Sequence, residues 1–261
     1  MAVDLDGTLL RSDGTVSDRT VAALRAAEAA GASVVLVTGR PPRFVTGLAA
    51  RTGGHETVIC ANGGLVWDLS TGSAISVDGI DPGLVLAFAG QVRARVPGVV
   101  FAVEQTRGLS REPDWPTLDP RRDTGARVGP LVDLVDSPVV KLLVRGPAGT
   151  DVAALRAVVA GLAAERLEVT WSVPRDVPLV EVSAHGVDKG TALARLAAGL
   201  GIDAADAVAF GDMPNDVAML QWAGIGVAMG QAHPDLVAVA DRATASNDDD
   251  GVALVLEELF A

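Results

Sequence analysis

The stretch Asp4-Leu5-Asp6-Gly7-Thr8 follows the apolar pair Ala2-Val3, and a second acidic stretch, Gly211-Asp212-Met213-Pro214-Asn215-Asp216, follows the apolar run 207–210. Each apolar run predicts a buried strand, and ligands of open parallel sheets bind beyond the carboxyl ends of the strands. We therefore expect the two acidic stretches to meet at one edge of a parallel sheet. Carboxylates beside small, flexible residues suit a site that holds Mg²⁺ and a phosphoryl group.

Two more short patterns lie between these stretches. Thr38-Gly39-Arg40 ends the apolar run 34–37, and Lys189-Gly190 begins a helical pattern. A hydroxyl group and free backbone N–H groups beside a helix start favour a phosphate cradle, with an ordinary loop as the alternative. The lysine would neutralise phosphate oxygens and hold a carboxylate, with a solvated residue as the alternative. The order of all four patterns along the chain favours function over coincidence.

The acidic residues have different expected roles. A carboxylate such as Asp4 can attack phosphorus and form an aspartyl-phosphate. Asp6 can exchange a proton with the leaving or attacking oxygen, and Gly7 permits the sharp turn that this placement requires. An Asp-Gly turn without any catalytic role is the alternative.

A metal site is expected around the second acidic stretch. Asp4 and Asp212 are the expected carboxylate ligands of Mg²⁺, with the backbone carbonyl of Asp6 as a third group. Asn215 and Asp216 fall in the first turn of the next predicted helix, where they would orient the lysine or the metal-bound water. Helix capping is the alternative for either residue.

Several single residues remain open. Asn62 would touch the substrate or, equally, form a hairpin turn. Arg40 or Arg43 would bind a distal anionic group, although exposure to solvent is the simpler interpretation. His185 is expected in a loop or hinge rather than as a base, and Glu181 is expected as a charge on an edge strand.

Apolar runs alternate with helical patterns at both ends of the chain, which predicts a Rossmann-like α/β domain with a parallel sheet. The acidic run Asp248-Asp249-Asp250 is expected to be a solvated helix start. The predicted strands are 2–3, 34–37, 58–60, 65–67, 207–210 and 226–229, and the predicted helices are 18–30, 189–200, 214–222, 234–240 and 252–260, with another starting at Pro41.

The pattern changes near residue 78. The stretch 104–136 is polar with little periodicity. Around it we predict helices 82–96 and 151–166 and strands 99–103, 139–144, 167–171 and 179–183, which together indicate a smaller α+β domain with antiparallel elements. We therefore predict a discontinuous core domain, 1–77 and 187–261, with an inserted cap domain, 78–186.

Composition excludes several classes of function. The 261 residues carry a net charge of −12, which argues against non-specific binding of nucleic acid. Hydrophobic residues make up 49%, yet no window approaches the ~18 uncharged apolar residues that span a bilayer. No signal peptide is evident, so a cytoplasmic location without membrane attachment is expected. The single cysteine, Cys60, is expected to be a buried thiol in a strand.

The four patterns together resemble the haloacid dehalogenase superfamily in its phosphatase branch, and the details around Thr38, Asn62 and Lys189 are similar to the Cof-type subgroup. The resemblance implies Asp4 as nucleophile, Asp6 as general acid/base and an α/β cap inserted after the second motif. It also implies Thr38 as a ligand of the phosphoryl group, Lys189 as the residue that stabilises its charge, and Asp4, Asp6 and Asp212 around Mg²⁺. With the loop and the asparagine discussed above, the expected substrate-binding residues are Thr38, Gly39, Arg40, Asn62 and Lys189.

The resulting hypothesis is a Mg²⁺-dependent phosphatase that acts on a small phosphorylated metabolite, with sugar phosphates as the leading class. Asp6 matters to it because dehalogenase members of the superfamily lack this second acid. A phosphomutase with the same nucleophile is one alternative, and a non-catalytic regulatory module that binds phosphate or Mg²⁺ is another. The sequence gives no prediction of oligomeric state.

Overall fold

The computed structural model describes residues 1–45, 47, 57–116, 125–170 and 177–260. The chain divides into two compact units, one formed by Met1–Ile75 with Asp188–Ala261 and the other by Ser76–Val187. Both ends of the chain therefore belong to the same unit, and the smaller unit is one continuous segment.

The larger unit is built on an eight-stranded sheet in the order β14-β13-β12-β1-β2-β3-β4-β5. The six strands from β14 to β3 are parallel, and β4 returns antiparallel to β3. The expected parallel α/β fold is confirmed. The strands are β1 Ala2–Asp4, β2 Val35–Val37, β3 Thr57–Cys60, β4 Leu65–Asp68, β5 Ser73–Val77, β12 Val208–Gly211, β13 Ile225–Ala228 and β14 Arg242–Ala243.

The helices of this unit begin and end at recognisable sequence signals. The hydroxyl of Ser17 caps the first helix by accepting from the backbone N–H of Thr20. Asp188 forms a capping box with Thr191 at the helix that begins at Lys189, and Gly201 ends it in the left-handed conformation. The helices are α1 Asp18–Ala29, α5 Lys189–Leu200, α6 Val217–Trp222, α7 Pro234–Val237 and α8 Gly251–Leu259.

The capping box has a consequence for the site. It fixes the start of α5, so Lys189 is held as the first helical residue. The same helix packs its apolar face, including Ala192 and Leu193, into a buried cluster with Val37 and Ile59 of the sheet. Burial of this face anchors the helix and thus the position of the lysine.

The smaller unit contains a six-stranded sheet in the order β10-β11-β9-β6-β7-β8. Its pairs are antiparallel except β7 with β8. Alternate residues such as Phe101, Leu142 and Val182 bury one face against the helices. The elements are α2 Pro82–Arg95, β6 Val100–Gln105, β7 Gly108–Arg111, β8 Arg127–Val128, α3 Leu131–Leu134, β9 Lys141–Arg145, α4 Val152–Ala163, β10 Leu167–Thr170 and β11 Leu179–Ala184.

Some elements differ from the sequence predictions. The described part of the polar stretch 104–136 contains β7, β8 and α3, and β5 and β14 were not predicted. These strands are short or polar, so they show no clear period of two. A 3₁₀ turn spans Pro42–Phe44 where a helix was expected; the continuation of that helix over 46 and 48–56, and the strand end at Trp171, lie outside the described residues.

One prediction about a charged residue is corrected, and another is extended. Glu181 is not an edge-strand charge, because β11 lies between β10 and β9 and its carboxylate is buried against the ammonium of Lys141 at 2.8 Å. The acidic run lies at the start of α8 with Asp248 and Asp249 exposed, as expected, and it also makes contacts that the sequence did not indicate. Asp248 accepts from the backbone N–H of Ser12 at 2.8 Å, and Asp250 pairs with Arg11 at 2.7 Å.

None of the helices in the described ranges combines the length and the apolar character needed to cross a bilayer. Cys60 is buried, as predicted, and burial raises the pKa of its thiol to about 12.

Candidate active site

The two acidic stretches meet at one edge of the parallel sheet, as predicted. Strands β1 and β12 are parallel neighbours, with Val3 opposite Phe210, so Asp4 and Asp212 extend from the same edge of the sheet. Both side chains are buried. Together with Asp216 they bring carboxylate oxygens within 4.8 Å of one another.

Lys189 connects two of these acids. Its ammonium Nζ donates to Asp4 Oδ1 at 2.5 Å and to Asp216 Oδ1 at 2.6 Å, and all three side chains are buried. Burial by itself would lower the pKa of the lysine, but the two adjacent carboxylates outweigh it and hold that pKa above its ordinary value. The ammonium is therefore charged at every physiological pH.

Burial has the opposite effect on the carboxylates. It raises the pKa of Asp4 well above its ordinary value, because the attraction of Lys189 only partly offsets desolvation. It also raises the pKa of Asp212 to about 6, with the neighbouring Asp216 charge as a further cause. Three buried acids thus face one ammonium, so their ionised forms carry negative charge that the protein alone does not compensate.

Asp216 is committed to contacts within the protein. One oxygen accepts from Lys189, and the other accepts from the backbone N–H groups of Asp212 at 3.1 Å and Met213 at 3.0 Å. It therefore fixes the loop that presents Asp212. As expected, Asp216 contacts Lys189, whereas Asn215 donates from Nδ2 to Asn62 Oδ1 at 3.1 Å instead.

Gly7 is required where the first acidic stretch turns. Its φ is +81°, and a Cβ atom there would lie 2.3 Å from Asp212 Oδ2. The next residue, Thr8, donates from its hydroxyl to Asp212 Oδ1 at 3.3 Å. The turn can thus approach Asp212 this closely only because residue 7 is a glycine and has no Cβ atom. The role of Thr8 was not predicted, although its place directly after Asp-x-Asp-Gly was the available signal.

The Thr38-Gly39-Arg40 loop lies at the end of β2, the other neighbour of β1. Thr38 is buried, and its hydroxyl accepts from the backbone N–H of Arg40 at 3.0 Å. The guanidinium of Arg40 is not simply solvent-facing. Its Nε donates to Asp6 Oδ2 at 2.8 Å, and its Nη2 donates to Asp6 Oδ1. Arg43 instead stacks over the Phe44 ring, 4.4 Å from its centroid.

Asn62 lies against the same loop in an unusual backbone conformation. Ala61 and Asn62 have φ of +52° and +56°, a left-handed region that non-glycine residues seldom adopt. The backbone N–H groups of Ala61 and Asn62 donate to the carbonyls of Arg40 at 3.0 Å and Thr38 at 3.1 Å. Strain of this kind concentrates at functional sites, and it holds the Asn62 side chain beside Gly39.

A further series of hydrogen bonds holds the loop that follows β1, and the part that Gln231 plays in it was not predicted. Gln231 Nε2 donates to the Gly7 carbonyl at 2.5 Å, and Gln231 Oε1 accepts from the backbone N–H of Asn247 at 3.2 Å. Asn247 Nδ2 in turn donates to the Leu10 carbonyl at 2.8 Å. No local pattern marks such contacts, because their partners lie far apart in the sequence.

The donor set fits a hard divalent cation. Magnesium prefers carboxylate and carbonyl oxygens, and Asp4 and Asp212 supply buried carboxylates with excess negative charge. Among the described residues, the grouped oxygens do not include the Asp6 carboxylate, which is engaged by Arg40. The expectation for Asp6 concerns its backbone carbonyl and stays a prediction. His185 lies in the smaller unit, exposed and 3.1 Å from Glu168.

The site thus belongs to an α/β protein with a parallel sheet, whose strand ends gather buried carboxylates around one lysine. The family model of the haloacid dehalogenase-like hydrolases matches residues 1–256. The chain therefore belongs to this family and is an enzyme of the hydrolase class, which confirms the resemblance described above.

Individual relatives agree with this assignment. The chain is 29% identical over 270 residues to a 5-amino-6-(5-phospho-D-ribitylamino)uracil phosphatase, YitU, of Bacillus subtilis, covering 100% of this chain and 97% of that protein. It is 30% identical to the phosphatase YwpJ of the same organism, covering 100% and 99%. The crystal structure of TM0651 from Thermotoga maritima superposes with a TM-score of 0.83 at 25% identity, covering 98% and 96%.

Proposed function

We propose that this protein is a Mg²⁺-dependent phosphatase that hydrolyses small phosphate monoesters through an aspartyl-phosphate on Asp4. The observation that carries the proposal is the buried Asp4–Lys189–Asp216 triad beside Asp212. A structural role alone would not require three acids and one lysine at a strand edge, because burying unbalanced charge costs stability. Relatives named as phosphatases support the same activity.

In the first step a carboxylate oxygen of Asp4 attacks phosphorus, and the bond from phosphorus to the ester oxygen breaks. Asp6, in its protonated form, gives its proton to the departing alkoxide. Lys189 holds Asp4 in place by its hydrogen bond to Oδ1 and contributes positive charge next to the phosphoryl oxygens. Thr38 lies at the neighbouring strand end, where its backbone and hydroxyl would bind the same oxygens.

In the second step a water molecule attacks phosphorus and passes a proton to Asp6. The bond between phosphorus and Asp4 then breaks, which releases inorganic phosphate and restores both carboxyl groups. Asp4 and Asp212 would hold the magnesium ion, which when bound neutralises the acids and the phosphoryl oxygens. Gly39, Arg40 and Asn62 would bind the substrate at the rim of the site.

Sugar and polyol phosphates are the substrate class that we propose. The support is that YitU and a second relative, YcsE, are named as phosphatases of a compound whose ribityl chain carries a phosphate group. We also propose that the smaller unit is the cap that selects among such substrates, and that the enzyme acts in the cytoplasm.

The test is phosphate release from a panel of sugar, polyol and nucleotide monophosphates, with Mg²⁺ or with EDTA. We expect turnover that requires Mg²⁺ and is lost in Asp4→Asn. Asp13→Asn is the matched control, because Asp13 is an exposed loop aspartate bonded to Thr15. Full activity in Asp4→Asn, or turnover unaffected by EDTA, would overturn the proposal. Formation of an isomeric phosphate in place of free phosphate would identify a mutase, and no turnover would identify a binding module.

A further inference from the structure

Arg40 connects the two loops that flank Asp4. Its backbone belongs to the loop after β2, where its N–H donates to the Thr38 hydroxyl and its carbonyl accepts from Ala61. Its side chain reaches the loop after β1, where the guanidinium forms a two-pronged ion pair with the Asp6 carboxylate. The backbone of Arg40 is therefore fixed in the loop after β2, while its guanidinium binds a carboxylate of the loop after β1.

This ion pair differs from the rest of the site in its exposure. The Arg40 and Asp6 side chains are 36% and 54% exposed, whereas Asp4 and Lys189 are buried. An exposed ion pair contributes only about 0–1 kcal/mol, since solvent screens it. The planar guanidinium fork fits a phosphoryl group as well as it fits a carboxylate, and a phosphate monoester carries up to two negative charges. The pair is thus weak enough for a bound ester to displace.

The pair also conflicts with the proposed chemistry. Both oxygens of Asp6 accept from Arg40, yet Asp6 must present an oxygen to the leaving group. When Asp6 carries the proton that it gives to the leaving group, one of its oxygens is a hydroxyl, which accepts less strongly from the guanidinium than a carboxylate oxygen does. The acid/base step therefore requires that the contact between Arg40 and Asp6 loosen.

We propose that Arg40 exchanges partners during the reaction: it holds Asp6 in the free enzyme and moves to the phosphoryl group of the bound ester, which releases Asp6 toward the leaving oxygen. Arg40 is then a phosphate ligand and the positioning residue for Asp6. This inference rests on the proposed function, and it adds a coupling between substrate binding and the freedom of the acid/base.

A double-mutant cycle with inorganic phosphate as the probe tests the exchange. Affinity is measured by calorimetry in Mg²⁺ for the wild type, Arg40→Met, Asp6→Ala and the double variant. In the wild type, the binding free energy gained from the arginine–phosphate contact is reduced by the cost of breaking the Arg40–Asp6 ion pair. In the Asp6→Ala background this ion pair is absent, so removal of Arg40 should reduce phosphate affinity by a larger factor. Repulsion between Asp6 and phosphate cancels in the comparison.

We expect Arg40→Met to weaken phosphate binding about tenfold in the wild-type background and up to about fivefold more in the Asp6→Ala background. Arg40→Lys keeps the positive charge but not the two-pronged guanidinium, so its phosphate affinity should lie between those of the wild type and Arg40→Met. Arg19→Met is the matched control, because Arg19 forms the same two-pronged contact with Glu257 on the exposed surface, at 2.8 and 2.6 Å. It should leave phosphate affinity unchanged.

Two outcomes overturn the exchange. Equal losses in both backgrounds mean that Arg40 bridges Asp6 and phosphate at once, and no loss in either means that it is not a phosphate ligand. Failure of the proposed function has a different signature, namely no Mg²⁺-dependent phosphate release by the wild type or release that survives Asp4→Asn. Circular dichroism of each variant confirms that the fold is retained.

Discussion

Replacing Lys189 with methionine isolates the energetic role of the buried ammonium. The substitution keeps much of the side-chain volume but removes the hydrogen bonds to Asp4 at 2.5 Å and Asp216 at 2.6 Å. Each contact has a gross attraction of roughly 5–7 kcal/mol at an effective dielectric constant near 20, most of which offsets desolvation. Breaking a buried pair typically costs about 3–5 kcal/mol, because the remaining charge is left without a partner.

We therefore expect Lys189→Met to lower the free energy of unfolding by about 3–5 kcal/mol near pH 7.5 in EDTA, a large part of a typical total of about 5–15 kcal/mol. The loss should shrink near pH 5. Burial already favours the protonated form of Asp4, and without the ammonium its pKa rises further, so acid removes the uncompensated charge. Added Mg²⁺ should restore part of the stability.

The assay is urea unfolding followed by circular dichroism at both pH values. Arg19→Met is the control, since the pair of Arg19 with Glu257 is equally short but 46% and 45% exposed. It should cost less than about 1 kcal/mol at either pH. A loss in Lys189→Met no larger than in this control, or one that is independent of pH, would refute the reasoning from burial.

Three more predictions concern the same unit. Gly7→Ala should raise the Mg²⁺ concentration for half-maximal phosphate release at least about tenfold, since its Cβ would lie 2.3 Å from an Asp212 oxygen, while Gly14→Ala (φ +77°, open space) should not; equal effects would contradict this. In EDTA, the free energy of unfolding of the wild type should fall by about 1–2 kcal/mol relative to that of Asp212→Asn as pH rises from about 4 to about 6. The reason is that Asp212 keeps its proton in the folded state over this range, whereas the unfolded chain releases it. Urea unfolding measures both free energies, and an increase of the wild-type value relative to the variant would contradict this prediction. Cys60 should resist iodoacetamide near pH 8 until urea unfolds the protein, because its pKa is raised to about 12 and it is buried; rapid alkylation of the native protein would refute this.

The sequence revealed the parts of the site that depend on strand ends and helix starts. Asp4, Asp212 and Lys189 follow or begin apolar runs whose period is plain, and parallel pairing brings such ends together without further information. The expected contact of Asp216 with the lysine follows from the same logic, since both lie in the first turn of adjacent helical segments.

Contacts between polar side chains were harder to predict from the sequence. Arg40 was expected to face solvent or substrate, because nothing in the sequence relates it to Asp6 across the sheet edge. Glu181 was taken for an edge charge because its buried partner, Lys141, is 40 positions away on the neighbouring strand. Hydrophobic periodicity predicts which face of a strand or helix is apolar, but it does not predict buried ion pairs.

The pairing of β1 between β2 and β12 orders events during synthesis on the ribosome. The second neighbour of β1, Val208–Gly211, is translated long after Asp4, and Lys189 follows that residue by 185 positions. The contiguous segment Ser76–Val187 is translated before Val208–Gly211, so it is complete before β1 can pair with its second neighbour. A nascent or prematurely terminated chain thus carries Asp4 without its ammonium partner Lys189 and without Asp212, so the buried cluster forms only in the last quarter of translation.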